Sequence, residues 1–333
     1  MHDALGRLVS DSGKHQADQN DDLRQAWYRQ RRILERDRYK ITSKGVASRR
    51  RWRGLDPALK LFESLLRLSG LHARGRANAL DIGLKPITVT LANLPAAFDG
   101  YRILQISDTH LDLLPSLADR MVALLHDVSV DLLLLTGDYR DRYDDPPEIG
   151  LALLQPILAA LDAPDGCIAV LGNHDPAASV PILETMGVQV LLNQTVTIKR
   201  LNDVLHLTGL DDVHSFYTEA AHGALREDRT GCRIAAVHSA EVADLAAAAG
   251  IDLYLCGHTH GGQIRLPWGG PLISRLRRCR AYSHGLWRHG DMVRLHLQRR
   301  RRRDHSDSLQ LSARSGIDHL AAARMTEFAA APA

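Results

Sequence analysis

The spacing of apolar positions changes near residue 86. Upstream, apolar residues recur at helical intervals within strongly charged sequence, predicting helices over Asp22 to Arg38 and Pro57 to Leu71. The second would carry Leu61, Phe62, Leu65 and Leu68 largely on one face, suited to packing on the protein body or to lying on a membrane surface. From Ile87 onward short continuous apolar runs take over: ITVTLA, RILQIS, DLLLLTGD, GCIAVLG, CRIAAVHS and DLYLCG. Their lengths suit buried strands. Helical spacing returns between them, over Leu117 to Asp127, Glu148 to Leu161, Ala177 to Met186 and Glu241 to Ala249. This alternation predicts an α/β domain with a largely parallel sheet. The expected organisation is a charged helical leader over residues 1–85, an α/β domain over 86–290 and an arginine-rich tail over 291–333.

At 333 residues the chain is long enough for a large buried core, and its aliphatic content fits such a domain. The net charge of +3 is unevenly placed, with Arg49, Arg50, Arg51 and Arg53 near one end and an unbroken run from Arg299 to Arg303 near the other. Neither run is interleaved with aromatic residues, so both read as solvated faces and nucleic acid is not the favoured partner. Cys167, Cys232, Cys256 and Cys279 are widely spaced, and three lie in apolar runs. They fit small core residues in a reducing compartment better than a disulfide framework. The N-terminal segment lacks a basic start followed by an apolar stretch, so it does not read as a secretory signal. With no apolar run near the ~20 residues that span a bilayer, a cytoplasmic location is expected, with peripheral contact at the inner membrane face compatible with the leader.

Polar residues gather directly after the strand candidates. RILQIS leads into Asp108 and His110, DLLLLT into Gly137, Asp138 and Asp141, and CIAVL into Gly172, Asn173, His174 and Asp175. IAAV leads into His238, and DLYLC into Gly257, His258, His260, Gly261 and Gly262. Five strand ends therefore converge on one site, since ligands in open α/β sheets bind beyond the carboxyl ends of the strands. Two divalent ions about 3.5–4 Å apart need a shared anionic bridge, neutral imidazoles, oxygen ligands and open positions for water and phosphate. Asp138 is the natural bridge. Asp108 and His110, like His258 and His260, are two residues apart, which on extended chain points both side chains the same way. Imidazole and carboxylate donors without thiolate suit manganese, iron or zinc over calcium.

The ordered set DTH, GDYRD, GNHD, His238 and GHTH resembles the calcineurin-like metallophosphoesterases over about Ile87 to Trp287. LLNQTVTI, the GLDD segment and GHTHGGQIRLP resemble its bacterial branch of stand-alone phosphodiesterases, which includes relatives acting on UDP-diacylglucosamine. The resemblance implies a sandwich of two mixed β-sheets flanked by helices. Asp108, His110, Asp138 and His260 would hold one metal, and Asp138, Asn173, His238 and His258 the other. His174 would be the catalytic histidine, beside the leaving-group oxygen, with Asp175 orienting it. The implied reaction is hydrolysis of a phosphodiester, phosphomonoester or diphosphate by metal-bound hydroxide, with a lipid-linked or nucleotide-sugar diphosphate as one substrate class. A scaffold that kept the fold without catalysis would be expected to lose ligands or the motif histidine, whereas all eight positions are present. Asp141 and Asp212 are expected to form structural hydrogen bonds near the site, while Arg140 could meet a substrate phosphate or a neighbouring carboxylate.

The resemblance ends near Val293. Relatives continue through a glycine-rich turn, a Pro-x-Arg and a Pro-Pro-Glu to a last strand, whereas Arg294 to Leu320 is polar, arginine-dense and without a strand pattern. Permitted codons for that stretch, read one nucleotide out of frame, encode GYTSSGAGVVTTPIRFNCPPEVALITL, which restores all three features. A frame change near Val293 is therefore expected, leaving a sheet edge uncovered. A clean read of the gene in the present frame would overturn it.

Overall fold

The computed structural model describes residues 21–37, 64, 68–142, 145–258, 265–266, 269–271, 285–296 and 320–327. The chain divides into two compact units, Met1–Gly54 and Leu55–Ala333. In the first, a helix spans residues 21–37, as its spacing predicted, with Trp27 and Arg31 buried and Arg31 paired to Glu35 at 3.0 Å. The helix expected over Pro57 to Leu71 falls almost wholly outside the described residues. Of its apolar face only Leu68 is described, and it is exposed.

The second unit holds two six-stranded sheets. The strands are β1 (Leu84–Leu91), β2 (Arg102–Ile106), β3 (Leu132–Leu135), β4 (Cys167–Ala169), β5 (Val188–Val190), β6 (Gln194–Arg200), β7 (Asp203–Gly209), β8 (Cys232–Ala236), β9 (Leu253–Cys256), β10 (Arg265–Leu266), β11 (Gly269–Pro271), β12 (Gly285–His289), β13 (Met292–His296) and β14 (Leu320–Glu327). The first sheet has the order β1-β14-β2-β3-β4-β5, the second β12-β13-β9-β8-β7-β6, and β10 and β11 form a separate pair. Both large sheets are mixed. β2 to β5 run parallel with β14 antiparallel to β2, and β7, β8, β9 and β13 run parallel with β6 and β12 antiparallel at the edges. The parallel pairing expected from alternation runs through both sheets, and the fold is the sandwich of two mixed sheets that the resemblance implied.

Period-two side-chain alternation builds the core. Ile103, Leu132, Leu134 and Ile168 of the first sheet share one buried cluster with Leu205, Leu207, Ile234, Leu253, Leu255, Val293 and Leu295 of the second. The alternate residues Ala235, Tyr254 and Cys256 face the other way, into a cluster with Ala221, Leu225, Ala243 and Ala246 from helices Glu219–Leu225 and Ala243–Ala248. Burial on both faces explains why β3 and β9 are unbroken apolar runs.

The helix expected over Glu148 to Leu161 is broken into Pro147–Leu151, a 3-10 turn Ala152–Leu154 and Gln155–Ala159. Pro156 has no amide hydrogen and its ring crowds the carbonyl of Ala152, so the preceding turn tightens. The tail also departs from expectation: β13 crosses the point at which the resemblance ends, and β14 sits inside the first sheet between β1 and β2. Among the described residues, no helix is long and apolar enough to cross a membrane.

Candidate metal centre

The carboxyl ends of the parallel strands in both sheets meet at one end of the sandwich. β2 delivers Asp108 and His110, β3 Asp138, β4 Asn173 and His174, β8 His238, and β9 His258. Backbone hydrogen bonds tie the loops together: Asp108 N to Gly137 O at 2.9 Å, His110 N to Asp138 O at 3.1 Å, and Gly257 N to His238 O at 2.9 Å. The two sheets are joined at the site itself. His258 N donates to both carboxylate oxygens of Asp108 at 3.1 and 3.0 Å, and His238 Nδ1 lies 2.8 Å from the carbonyl of Thr136.

Asp108, His110, Asp138 and His258 have positive φ angles of 54°, 40°, 57° and 78°. Such conformations cost about 1–3 kcal/mol each in non-glycine residues and gather where surrounding structure holds a functional geometry in place. They correct the expectation that Asp108 and His110 point together because the chain is extended. Left-handed turns bring them together instead. The loops also approach too closely for side chains at Gly137, Gly172 and Gly257. A Cβ on Gly172 would overlap the carboxylate and amide of Asp138, and one on Gly257 would overlap Ser107 Oγ and the Asp108 carboxylate.

The buried groups fall into two sets that share a residue. Donor atoms of Asp108, His110 and Asp138 lie within 4.8 Å of one another, as do those of Asp138, His238 and His258. Asp138 Oδ2 is 3.9 Å from His110 Nε2 and 3.2 Å from His238 Nε2, while Oδ1 accepts the His174 amide at 2.8 Å. Burial alone would raise the Asp138 carboxyl, but His238 and His174 hold it well below the ordinary carboxylate range. Burial alone would lower His238, but the Asp138 carboxylate lifts it well above the ordinary imidazole value.

This donor set fits divalent cations. A carbonyl can only accept, so Nδ1 of His238 against Thr136 O, and Nδ1 of His110 against Arg140 O at 2.9 Å, must both donate. In each neutral imidazole that leaves Nε2 as a lone pair directed toward Asp138 Oδ2. His258 Nδ1 lies 3.2 Å from the same His238 Nε2. Lone pairs and a carboxylate converging in buried space call for positive charge between them, and backbone carbonyls fixing the far nitrogens are the usual support of metal-ligating histidines.

The family model for calcineurin-like phosphoesterases matches residues 101–262, a span that contains every group just described. Residues 101–262 are a calcineurin-like phosphoesterase domain. Similar relatives include the metallophosphoesterase YkuE of Bacillus subtilis, 29% identical over 211 residues, covering 61% of this chain and 73% of YkuE. The UDP-2,3-diacylglucosamine pyrophosphatase LpxG of Chlamydia trachomatis is 26% identical over 251 residues, covering 58% of this chain and 74% of LpxG. Phosphodiesterase YaeI of Escherichia coli is 28% identical over 176 residues, covering 50% and 63%. Members of this calcineurin-like family are hydrolases that use divalent metals, and the bacterial stand-alone branch accommodates the relatives.

Of the twelve residues singled out in the sequence, the structure brings Asp108, His110, Asp138, Asn173, His174, Asp175, His238 and His258 to this end of the sandwich, with Asp141 and buried Arg140 beside them. His260 lies outside the described residues. Asp212 is buried and accepts the amides of His214 and Ser215 at 3.1 and 2.8 Å, in keeping with the structural role expected of it.

Asp175 also acts on the backbone around it. Its carboxylate accepts the amides of Asp138 at 2.7 Å, Tyr139 at 3.1 Å and Gly172 at 2.8 Å, so it clamps the loops after β3 and β4. Burial, and then the charge of Asp138, push it up to about 6. The ring of His174 meets the backbone of Asp141, whose carbonyl lies 2.6 Å from Nδ1. Sequence reasoning also missed the supporting carbonyls of Thr136, Arg140 and Asp141, which carry no side-chain signature, and the pair His214 and Glu241, which sits just past the GLDD segment.

Proposed function

We propose that this chain hydrolyses a phosphate ester or diphosphate with two divalent ions, of which Asp108, His110, Asp138 and His260 would hold one and Asp138, Asn173, His238 and His258 the other. The observation that supports this reading most directly is the sharing of Asp138 between two donor sets, in each of which one imidazole, His110 or His238, has its outer nitrogen occupied by a backbone carbonyl. When bound, the ions would neutralise phosphoryl charge and make water a competent nucleophile near neutral pH, and manganese, iron or zinc would suit these donors.

His174 fits the role of proton donor to the leaving oxygen. Its Nδ1 donates to the Asp141 carbonyl, so Nε2 is the nitrogen available to a substrate, and its ring meets that of His110 edge-on at 5.1 Å between centroids. The amide of His174 on Asp138 Oδ1 ties this residue to the bridging carboxylate, so the acid and the metal cradle keep a fixed spacing. Asp175 would serve as a positioning residue for the loops. The pyrophosphatase relative supports a lipid-linked or nucleotide-sugar diphosphate as the substrate class, with phosphodiesters next.

Hydrolysis of bis-p-nitrophenyl phosphate and p-nitrophenyl phosphate by metal-stripped protein resupplied with manganese tests this reading. Turnover should need the metal. Asp138→Ala should lose both metal and turnover, and His174→Ala should lose about 10²–10⁴ in kcat with its metal content intact. Folded, metal-loaded protein without turnover on these esters or on UDP-2,3-diacylglucosamine would overturn it.

A further inference from the structure

The loop after β7 carries a histidine that the functional reading leaves unused. Asp211 N donates to Asn193 Oδ1 at 3.0 Å, Asp212 N to Asp211 Oδ1 at 2.8 Å, and His214 N to Asp212 Oδ1 at 3.1 Å. These bonds fix the turn that presents the imidazole of His214. Its Nδ1 lies 2.9 Å from Oε1 of Glu241, a buried carboxylate on the loop after β8. Its ring lies against that of His258, with centroids 4.4 Å apart and planes 44° from parallel. On another side His238 meets the His258 ring edge-on at 5.0 Å and 73°. His258 is therefore held by two imidazoles, one in its own donor set and one outside it.

From this we infer that His214, fixed by Glu241, is a positioning residue that sets the ring orientation of His258 and thereby the affinity of the metal site that His258 completes. The inference rests on the proposed assignment of His258 as a ligand. An imidazole ligand binds well only if its lone pair is aimed before the ion arrives, and His258 follows β9 with its own backbone left-handed, at φ 78°. His214 supplies the wall for that ring, and Glu241 keeps the wall from turning. Losing such an outer partner typically weakens metal binding by about 10–100-fold.

The test is manganese titration of the metal-stripped full-length protein by calorimetry, with thermal unfolding of each metal-free variant as the check on folding. His258→Ala identifies the ion that depends on His258. His214→Ala and Glu241→Ala are expected to weaken that same ion about 10–100-fold while the other ion binds as before. Glu241→Gln, whose amide oxygen can still accept from Nδ1, should stay within a few-fold of the parent. Selective loss of one ion separates positioning from general destabilisation, which would lower both affinities or neither. A His258-dependent ion that folded His214→Ala and Glu241→Ala bind at parent affinity overturns this inference alone. No His258-dependent ion in the parent protein overturns the ligand assignment, and this inference with it.

Discussion

At the scale of single residues, the site depends as much on what is missing as on what is present. Gly172 leaves room for the Asp138 carboxylate, and any side chain there would occupy the space of the bridging group. Gly172→Ala should therefore cost more than tenfold in manganese-dependent hydrolysis, since a misplacement of about 1 Å can cost ~10²-fold. Gly223 makes the contrast: a Cβ there meets nothing within 4 Å, so Gly223→Ala should leave activity unchanged and add about 0.5–1 kcal/mol of stability within its helix. A urea melt and an ester assay of both variants check the pair. The ligand types and their spacing were legible because carboxylates, imidazoles and glycines after apolar runs have few other reasons to cluster. The left-handed backbone at Asp108, His110, Asp138 and His258 was not, because nothing in Asp-x-His distinguishes a turn from extended chain.

Among the elements, β2, β3, β4, β8 and β9 were readable because strands buried on both faces appear as largely apolar runs, interrupted inside β2 and β8 only by Gln105 and Arg233. β6 and β7 were not read as strands. Gln194–Arg200 is half-buried apart from exposed Thr197 and Lys199, and its Val196 and Ile198 alternate with Thr195, Thr197 and Lys199 in a pattern that registers only beside its partner. The two are joined by Leu201 and Asn202, with Leu201 at φ 55° and Arg200 paired to Asp203, so the tight hairpin is itself the missed signal. β4 also carries a pH-dependent consequence. Burial pushes the Cys167 thiol up from 9.0 to about 12. The neutral thiol is the form the fold favours, so at pH 8 its thiolate should be depleted about 1000-fold relative to an ordinary cysteine. Iodoacetamide labelling followed by mass spectrometry should find Cys167 slow in the native protein and fast in urea. The difference should shrink only as pH rises toward 12.

Across the whole molecule, Arg200 ties the sheets together at a distance from the metal centre. From β6 it reaches Asp131 at 3.0 Å and Asp165 at 3.4 Å, beside the first sheet, and its guanidinium lies 4.8 Å from the centre of the Tyr101 ring. The side chain is about one-third exposed, so screening limits the ion pairs to below ~1 kcal/mol, with the ring contact adding about 0.5–1 kcal/mol. Arg200→Ala should cost about 1–2 kcal/mol in urea denaturation, and part of that cost should vanish in high salt.

The amide of His258 donates to the carboxylate of Asp108 across 150 positions of chain. Loop closure over that length is entropically slow to be rewarded, so contacts of this kind form late in folding, after the sheets have condensed. A ligand that binds only the finished cage stabilises an arrangement that the rate-limiting barrier does not yet contain. Divalent metal should therefore leave the refolding rate nearly unchanged and slow unfolding in proportion to its binding free energy. In stopped-flow measurements only the unfolding arm would move with metal concentration, so the centre acts as a latch on a protein that has already folded.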